Sequence, residues 1–159
     1  MAGRSATSVA FARFLVFVAL FLSIVGVILV SRSLLIAPPY AVTAFLIVFD
    51  RDGKYAQPKS IVTSYLVVIG SSELFVLTLG ITYLALVLNV IVVSALIAFT
   101  SFAHPPALAL TIFSYIAHDS VVFSLTSLVV LGIVVGADLI VHRNATLSRW
   151  LGGAAPDTT

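Results

Sequence analysis

Two Pro-Pro pairs are the residues of this chain whose type and spacing point most directly to chemistry. Ala37-Pro38-Pro39 precedes the short apolar run 40–49, and His104-Pro105-Pro106 precedes the short apolar run 107–116. Proline donates no backbone hydrogen bond and is tolerated best in the first turn of a helix, so each pair predicts a new helix N-terminus. Such ends carry free N–H groups and a partial positive charge, which favour a bound anion or another polar solute.

The residues around these two N-termini form the predicted solute-binding site. Backbone N–H groups are the expected anion donors, with hydroxyl side chains beside them and with His104, which gains charge near neutral pH, at one helix end. The alternative for the hydroxyl groups is ordinary hydrogen bonding between helices, and for His104 it is capping of a helix end. The complete predicted set is Pro38, Pro39, Tyr40, Ala41, Thr43, Tyr65, His104, Pro105, Pro106, Ala107, Leu108 and Thr111.

Glu73 is the residue whose insertion into a membrane costs the most free energy, since it follows Gly70-Ser71-Ser72 well inside a long apolar run. A carboxylate near the centre of a membrane helix costs roughly 2.5–3.5 kcal/mol on insertion scales. Glu73 must therefore be protonated, paired or exposed to water, and the hypothesis is that it carries protons. The alternatives are that it reaches the headgroup region from near the end of its helix, or that it makes an oligomer contact.

Three further polar positions favour structural roles. Asn89, in the middle of its apolar run, predicts an interhelical hydrogen bond. Asp119, or the serine after it, predicts an N-cap for the last long helix. Asp138, one turn from His142 and close to Arg143, predicts an ion pair at the membrane interface.

The composition excludes most classes of soluble protein. Of 159 residues, 61% are hydrophobic and 9% are charged, with a mean hydropathy of +1.22, which is typical of a polytopic membrane protein. The absence of cysteine excludes disulfides, a thiol nucleophile and a thiolate metal site. The net charge of +2 comes from basic residues in loops and tails, which predicts no binding of nucleic acid. Since no nucleotide, phosphate or metal motif is present, we expect neither a cofactor nor an enzymatic activity.

The apolar runs predict four long transmembrane helices plus two short half-helices that begin at the Pro-Pro pairs. The order long, short, long occurs twice, which indicates an all-α membrane protein built from two three-element repeats. The prediction treats 1–159 as one membrane domain, with repeats at 8–79 and 82–142 and flexible tails at 1–7 and 150–159. The alternative is that both Pro-Pro pairs merely end long helices at the membrane surface. The long runs, each able to cross about 30 Å of hydrocarbon, are 8–30, 60–79, 82–102 and 120–141, and the short ones are 39–49 and 105–116.

The placement of lysine and arginine predicts the orientation in the membrane. Basic residues lie near both termini and in the internal loop 50–59, whereas the turn 79–82 carries no charge. If the short segments cross the membrane, both termini and this loop lie on one face, which the positive-inside rule makes cytoplasmic, and the repeats are inverted. If the short segments re-enter instead, the loop lies outside and the repeats are parallel. The basic loop favours the inverted arrangement, in a cell's inner or plasma membrane.

Several segments resemble the HPP family of integral membrane proteins. Ala103-His104-Pro105-Pro106-Ala107 is similar to the signature of this family, and Ala56-Gln57-Pro58-Lys59-Ser60 is similar to its Ala-Gln-Pro-Arg-Asn element. Pro39-Tyr40-Ala41 occupies the place of the family's Gly-Pro-Ser-Ala, and the last long run ends in a similar His142-Arg143-Asn144. The resemblance covers residues 34–144, with these elements in the family's order.

The resemblance implies a four-helix membrane protein. It also makes nitrite the expected substrate, because plant chloroplast and cyanobacterial members of the family are implicated in nitrite transport. The chain departs from the family pattern at Leu108 and Leu110, which replace a glycine and a threonine, and at Thr63-Ser64-Tyr65, which replaces Gly-Gly-His. If these positions line a pathway, the substrate preference differs from that of the relatives.

Two hypotheses follow from the residues and the resemblance together. The first is a transporter or channel-like permease for a small inorganic anion, held near the half-helix N-termini, with Glu73 coupling proton movement. A chain with so few helices is then expected to form a homo-oligomer in the lipid bilayer. The second is a membrane assembly or partner subunit that transports nothing, in which the Pro-Pro pairs are plain helix ends and the polar groups face a partner.

Overall fold

The computed structural model describes residues 6–117, 119–144 and 151, without the side chain of His142, and these residues form six α-helices and no β-strand. Short 3₁₀ turns at Leu34–Ile36 and Lys54–Ala56 lie before the second and third helices. The all-α prediction is therefore confirmed for this part of the chain. The helices are α1 (Ala6–Ser31), α2 (Ala37–Phe49), α3 (Pro58–Leu79), α4 (Tyr83–Phe99), α5 (Pro106–Ile116) and α6 (Ser120–Arg143).

Prolines lie in the first turn of three of these helices, and two of these starts are the ones predicted at the Pro-Pro pairs. Pro38 and Pro39 lie in the first turn of α2, Pro58 begins α3, and Pro106 begins α5. The N–H group that proline lacks has no partner within the first turn of a helix, so its loss there leaves every intrahelical bond intact.

Side-chain caps begin α4 and α6. The Thr82 hydroxyl oxygen accepts a hydrogen bond from the N–H of Ala85 at 3.2 Å. Asp119 Oδ1 accepts one from the N–H of Val122 at 3.0 Å, which confirms the predicted cap. Between α3 and α4 the chain turns at Gly80, whose φ of 70° and ψ of −174° lie in a backbone region open almost only to glycine.

Three helices, α1, α3 and α6, are long and apolar enough to cross a membrane. The predicted span 82–102 is shorter in the structure, because α4 has 17 residues and ends at Phe99. Thr100 is extended, and its hydroxyl donates to the C=O of Leu96 at 2.6 Å, so that residues 100–105 form a connector between α4 and α5. The two short helices, α2 and α5, have 13 and 11 residues.

The core lies around α3, which packs against α4, α5 and α6, while α1 packs against α2 and α6. Arg13 Nε donates to the C=O of Leu151 at 2.9 Å, so the start of α1 and this C-terminal residue lie at the same end of the bundle. The outer faces carry exposed apolar side chains, which is what contact with lipid requires. The largest fully buried side chains include Ile24, Ile28, Tyr40, Tyr65 and Phe123, and the exposed ones include Leu22, Leu29, Leu84 and Ile91.

Replacing Gly80 by alanine is expected to lower the free energy of unfolding by on the order of 1–3 kcal/mol, because a Cβ is strained at this backbone conformation. Gly70→Ala is the matched control, since Gly70 lies within helix α3 and a Cβ added there meets nothing within 4 Å. In a helix interior that change is neutral or stabilising by up to about 1 kcal/mol. Unfolding of the two variants in detergent measures the difference, and equal midpoints would contradict the assigned turn geometry.

Candidate functional site

A chain of hydrogen bonds joins three residues that the sequence analysis singles out. Thr43 Oγ1 lies 2.8 Å from His104 Nε2 and also forms a hydrogen bond with the Tyr65 hydroxyl. On the other side of the imidazole, His104 Nδ1 lies 2.7 Å from the C=O of Tyr55. The side chains of Thr43, Tyr65 and His104 are all 0% exposed, so these bonds are closed off from the surroundings of the bundle.

The directions of these bonds follow from the groups that take part. The C=O of Tyr55 can only accept, so His104 Nδ1 carries a hydrogen and donates it. Burial without a compensating charge favours the neutral imidazole, in which Nε2 is then an acceptor. The Thr43 hydroxyl therefore donates to Nε2, and the Tyr65 hydroxyl donates to Thr43 Oγ1. The result is a one-way relay of donors from Tyr65 through Thr43 to His104.

Stacked aromatic rings enclose this relay. The rings of Tyr40 and Tyr65 are stacked with centroids 4.6 Å apart, and the Tyr65 and His104 rings form a T-shaped pair with centroids 5.2 Å apart. The Tyr40 hydroxyl donates to the C=O of Ser127 on α6 at 2.7 Å, and the C=O of Pro39 lies 3.2 Å from the Tyr65 hydroxyl. Groups from α2, α3, α6 and the α4–α5 connector thus meet at one buried place.

Two serines of α3 hold the connector that carries His104. Ser64 Oγ donates to the C=O of Phe102 at 2.7 Å, and Ser60 Oγ donates to the C=O of Ser101 at 3.4 Å. Residues four apart lie on the same face of a helix, so both serines reach the same stretch of backbone. Sequence reasoning did not single out Ser60 or identify this role, although the spacing of four is visible in the sequence.

The two Pro-Pro pairs share a pattern of burial. The first proline of each pair, Pro38 and Pro105, is exposed, and the second, Pro39 and Pro106, is buried. Ala41, the remaining predicted residue of the α2 start, is half-buried and has no polar side chain. The prolines therefore position the polar residues beside them and contribute no side-chain hydrogen bond of their own.

The backbone N–H groups predicted to contact an anion at the start of α5 already have partners. Ala107 N–H donates to the C=O of His104, and Leu108 N–H donates to the C=O of Pro105, both at 3.0 Å. The Thr111 hydroxyl donates to the C=O of Ala107 at 3.0 Å. An anion at this helix end has to displace these bonds.

Glu73 lies apart from the relay, at the contact between α3 and α6. Its Oε1 accepts a hydrogen bond from the Ser124 hydroxyl at 2.6 Å, and both side chains are half-buried. The carboxyl group is therefore anchored to the neighbouring helix while part of it stays exposed. Its predicted role in carrying protons stays a prediction.

A second polar cluster lies between α3, α4 and α5. Asn89 Nδ2 donates to Ser72 Oγ at 2.9 Å, which confirms the interhelical bond predicted for Asn89. Ser114 Oγ of α5 lies 2.9 Å from Ser72 Oγ. Sequence reasoning missed Ser72 and Ser114 as a pair. The sequence signal available for this cluster was the spacing of serines at multiples of four along α3, at Ser60, Ser64 and Ser72.

The described side chains offer no metal centre. Across residues 6–117 and 119–144, no group of three or more His, Cys, Asp or Glu could hold a metal ion. Asp138 is buried, and its predicted ion pair near His142 and Arg143 stays a prediction; the side chain of His142 lies outside the described part of the chain.

Comparison with known families decides the identity of the bundle. A family model described as "HPP, transmembrane region" matches residues 4–150. The chain belongs to the HPP family. The match spans all six described helices, including the site around His104, and it confirms the resemblance drawn from the sequence. No curated protein and no solved structure matches the chain. As an HPP-family member with long apolar helices, it is an integral membrane protein.

Replacing Thr43 by valine removes the hydroxyl at the centre of the relay and keeps the shape of the side chain. Two buried groups, His104 Nε2 and the Tyr65 hydroxyl, then lose a partner, so stability is expected to fall by about 1–3 kcal/mol. Thr78→Val is the matched control, since the Thr78 hydroxyl is exposed and bonds to the C=O of Leu74 in its own helix, at 2.8 Å. Thermal unfolding in detergent measures both, and a Thr43→Val midpoint as high as that of Thr78→Val would argue against the relay.

Proposed function

We propose that this HPP-family protein is a permease for a small inorganic anion, with nitrite as the substrate that the family suggests. The observation that carries the proposal is the buried relay of Tyr65, Thr43 and His104 inside an integral membrane protein. Ionisable and polar groups at membrane depth are costly and are commonly retained for function. Packing alone would be served equally well by apolar side chains of similar volume.

The relay supports this substrate class because its hydroxyl groups are donors that can rotate. When an anion enters, the Thr43 or Tyr65 hydroxyl turns from its internal partner to the anion, and the bond re-forms when the anion leaves. The C=O of Pro39, 3.0 Å from Thr43 Oγ1, gives that hydroxyl a further partner within reach. Exchange of one hydrogen bond for another holds a solute weakly, and weak binding is what rapid passage requires.

The proposed architecture is the inverted repeat. The elements α1–α2–α3 and α4–α5–α6 each have a short central helix that starts at a Pro-Pro pair, with α4, at 17 residues, as the fourth transmembrane helix. In this arrangement both termini and the basic loop 50–59 face the cytoplasm, in an inner or plasma membrane. The start of α1 and Leu151 lie at one end of the bundle, which supports this orientation of the termini.

A homo-oligomer is part of the proposal. Gly26 on α1 and Gly136 on α6 each line an open groove between these helices, the two grooves meeting at Ser23, and a Cβ built at either glycine meets nothing within 4 Å. The grooves therefore leave room for the close approach of another transmembrane helix, as small residues do in membrane interfaces. The same observation favours the second candidate function, an assembly subunit that transports nothing and binds a different membrane protein there.

Uptake of nitrite into proteoliposomes tests the proposal. The wild-type protein is expected to admit nitrite faster than protein-free liposomes do, and His104→Ala is expected to reduce this uptake by about tenfold or more, since it removes a buried hydrogen-bond partner. Thr78→Val, on the exposed face, is expected to retain full uptake. No nitrite, nitrate, formate or chloride flux from protein of native size and stability would overturn the permease proposal and favour the assembly subunit.

Glu73 is proposed as the group that delivers protons during uptake. Glu73→Gln keeps an oxygen acceptor for Ser124 but cannot exchange a proton at this position. We expect it to reduce nitrite uptake driven by an inward proton gradient by about tenfold or more, within the range found for proton-transfer groups. Asp119→Asn, a similar change at the exposed cap of α6, is the control. A variant that responds to the gradient like the wild type would remove Glu73 from the mechanism.

A further inference from the structure

An open cavity lies where the chain leaves α1 and turns into α2. Its volume is about 460 Å³, and the end of α5 and the start of α6 form its other side. Among the described residues, the polar side chains that line it are Ser31, Arg32, Ser33 and Asp119. The Ser31 hydroxyl donates to the C=O of Ile28 at 3.3 Å, and the Ser33 hydroxyl donates to the C=O of Ser31 at 3.4 Å. Both serines have therefore already committed their hydrogens.

Arg32 supplies the positive charge of this cavity. No described residue forms an ion pair or a hydrogen bond with its guanidinium, which has five N–H donors. Asp119 lines the same cavity, but its carboxylate caps α6 by accepting from the N–H of Val122 at 3.0 Å. The partial positive charge of that helix N-terminus offsets part of the negative charge of the carboxylate. The cavity therefore offers an anion a cation whose hydrogens are uncommitted.

The backbone at Arg32 indicates a role for its side chain. Its φ of 57° lies in the left-handed region, and it is the one described residue other than glycine with a positive φ. Glycine and asparagine adopt this conformation more easily than arginine does. The Arg32 side chain is exposed, so burial of apolar surface does not offset this strain. Strain of this kind occurs most often at binding sites and other functional positions.

The other basic residues of the described chain lie toward the opposite end of the bundle. Arg13 lies there beside Leu151, and Arg143 lies there because α6 runs away from the cavity. The basic loop 50–59 follows α2, which also leads away from the cavity. Among the described residues, Arg32 is therefore the one cation at its end of the bundle. An anion that approaches from this side meets the field of Arg32 first.

The cavity and the buried relay lie along the same short helix. Leu35 lines the cavity, and α2 begins shortly after it at Ala37. From Ala37 to Thr43 the helix rises by about 9 Å. Between them lies Tyr40, which is fully buried and whose ring stacks on that of Tyr65. An anion in the cavity is therefore separated from the donors of the relay by the first two turns of α2.

We propose that the cavity at Arg32 binds a small inorganic anion from the water and passes it toward the relay. The guanidinium attracts the anion and donates to it, and since the cavity has no further uncommitted donor on a described side chain, it binds nitrite, nitrate and chloride alike. Selection among these anions then falls to the relay. The inference rests on the proposed permease function and names the site where its substrate first binds. The phosphate of a lipid headgroup has the same chemistry, and the experiment separates the two sources.

Protection of a cysteine in lipid-free detergent measures this binding without any need for transport. The chain has no cysteine, so Leu35→Cys places a single thiol on the wall of the cavity. The rate at which a neutral maleimide alkylates this thiol is compared in nitrate, in chloride and in the bulky anion gluconate at equal ionic strength. Relative to gluconate, we expect nitrate and chloride to slow alkylation about twofold at a concentration equal to the dissociation constant. Ile81→Cys, exposed at the α3–α4 turn, is the control and is expected to react at one rate in all three salts.

Substitutions of Arg32 test whether its charge is responsible. Arg32→Asn, combined with Leu35→Cys, removes the charge and keeps a residue that adopts the left-handed backbone conformation readily. We expect it to abolish the protection by nitrate and chloride, and Arg32→Gln serves the same purpose if Arg32→Asn does not fold. Arg32→Lys keeps the charge and is expected to retain the protection. In proteoliposomes, Arg32→Asn is expected to lower nitrite uptake about twofold or more at low nitrite and to approach the wild-type rate at saturating nitrite.

The outcomes separate this inference from the permease proposal. Equal alkylation rates in the three salts, or protection that survives Arg32→Asn, would each overturn the anion site, even if nitrite uptake is observed. Protection that appears only when anionic phospholipid is added, and that nitrate does not change, would assign Arg32 to lipid phosphate and overturn the site as well. Wild-type uptake by Arg32→Asn at low nitrite would overturn its role in passing the anion on. Protection that needs Arg32, together with no uptake of any anion, would support the binding site and overturn only the permease.

Discussion

The hydroxyl of Thr43 is the group on which the arrangement of the buried site depends. It belongs to α2, it donates to His104 in the α4–α5 connector, and it accepts from Tyr65 of α3. One small side chain thereby sets the relative positions of a short helix, a long helix and a non-helical segment. Since each of these groups is fully buried, the alternative to these bonds is an unpaired polar group inside the bundle.

Hydrogen bonds within the protein satisfy backbone groups of the connector between α4 and α5. Inside a membrane, irregular backbone is tolerated only where protein groups take the place of water. Ser60 and Ser64 donate to two carbonyls of the connector, and the first amides of α5 donate to the carbonyls of His104 and Pro105. The break between α4 and α5 is thus stabilised by hydrogen bonds to its own backbone carbonyls. It brings an imidazole to the interior without a charged partner.

Two clusters of hydrogen-bonded polar side chains lie in the interior of the bundle. Hydrogen bonds join Tyr65, Thr43 and His104 in one cluster, and Asn89, Ser72 and Ser114 in the other. Both clusters are neutral, and the basic residues of the described chain keep to loops and helix ends. This placement of charge agrees with a protein whose outer surface lies in lipid.

Composition, hydropathy and the Pro-Pro pairs determined the class of the protein, the six helical segments and the starts of α2 and α5, because these depend on local chain chemistry. The short motifs of the chain resemble the HPP family, and the family model confirms the membership. The early end of α4 was not predicted: the apolar run continues to Phe102, but the helix ends at Phe99, and serines of α3 bond the carbonyls of Ser101 and Phe102. Tyr65 and His104 were singled out by residue type. The hydrogen bonds that join them through Thr43 depend on the packing of segments that are far apart in the chain. The bonds of Ser72 to Asn89 and Ser114 were likewise decided by the tertiary structure, because they join residues of three helices that only the packing brings together.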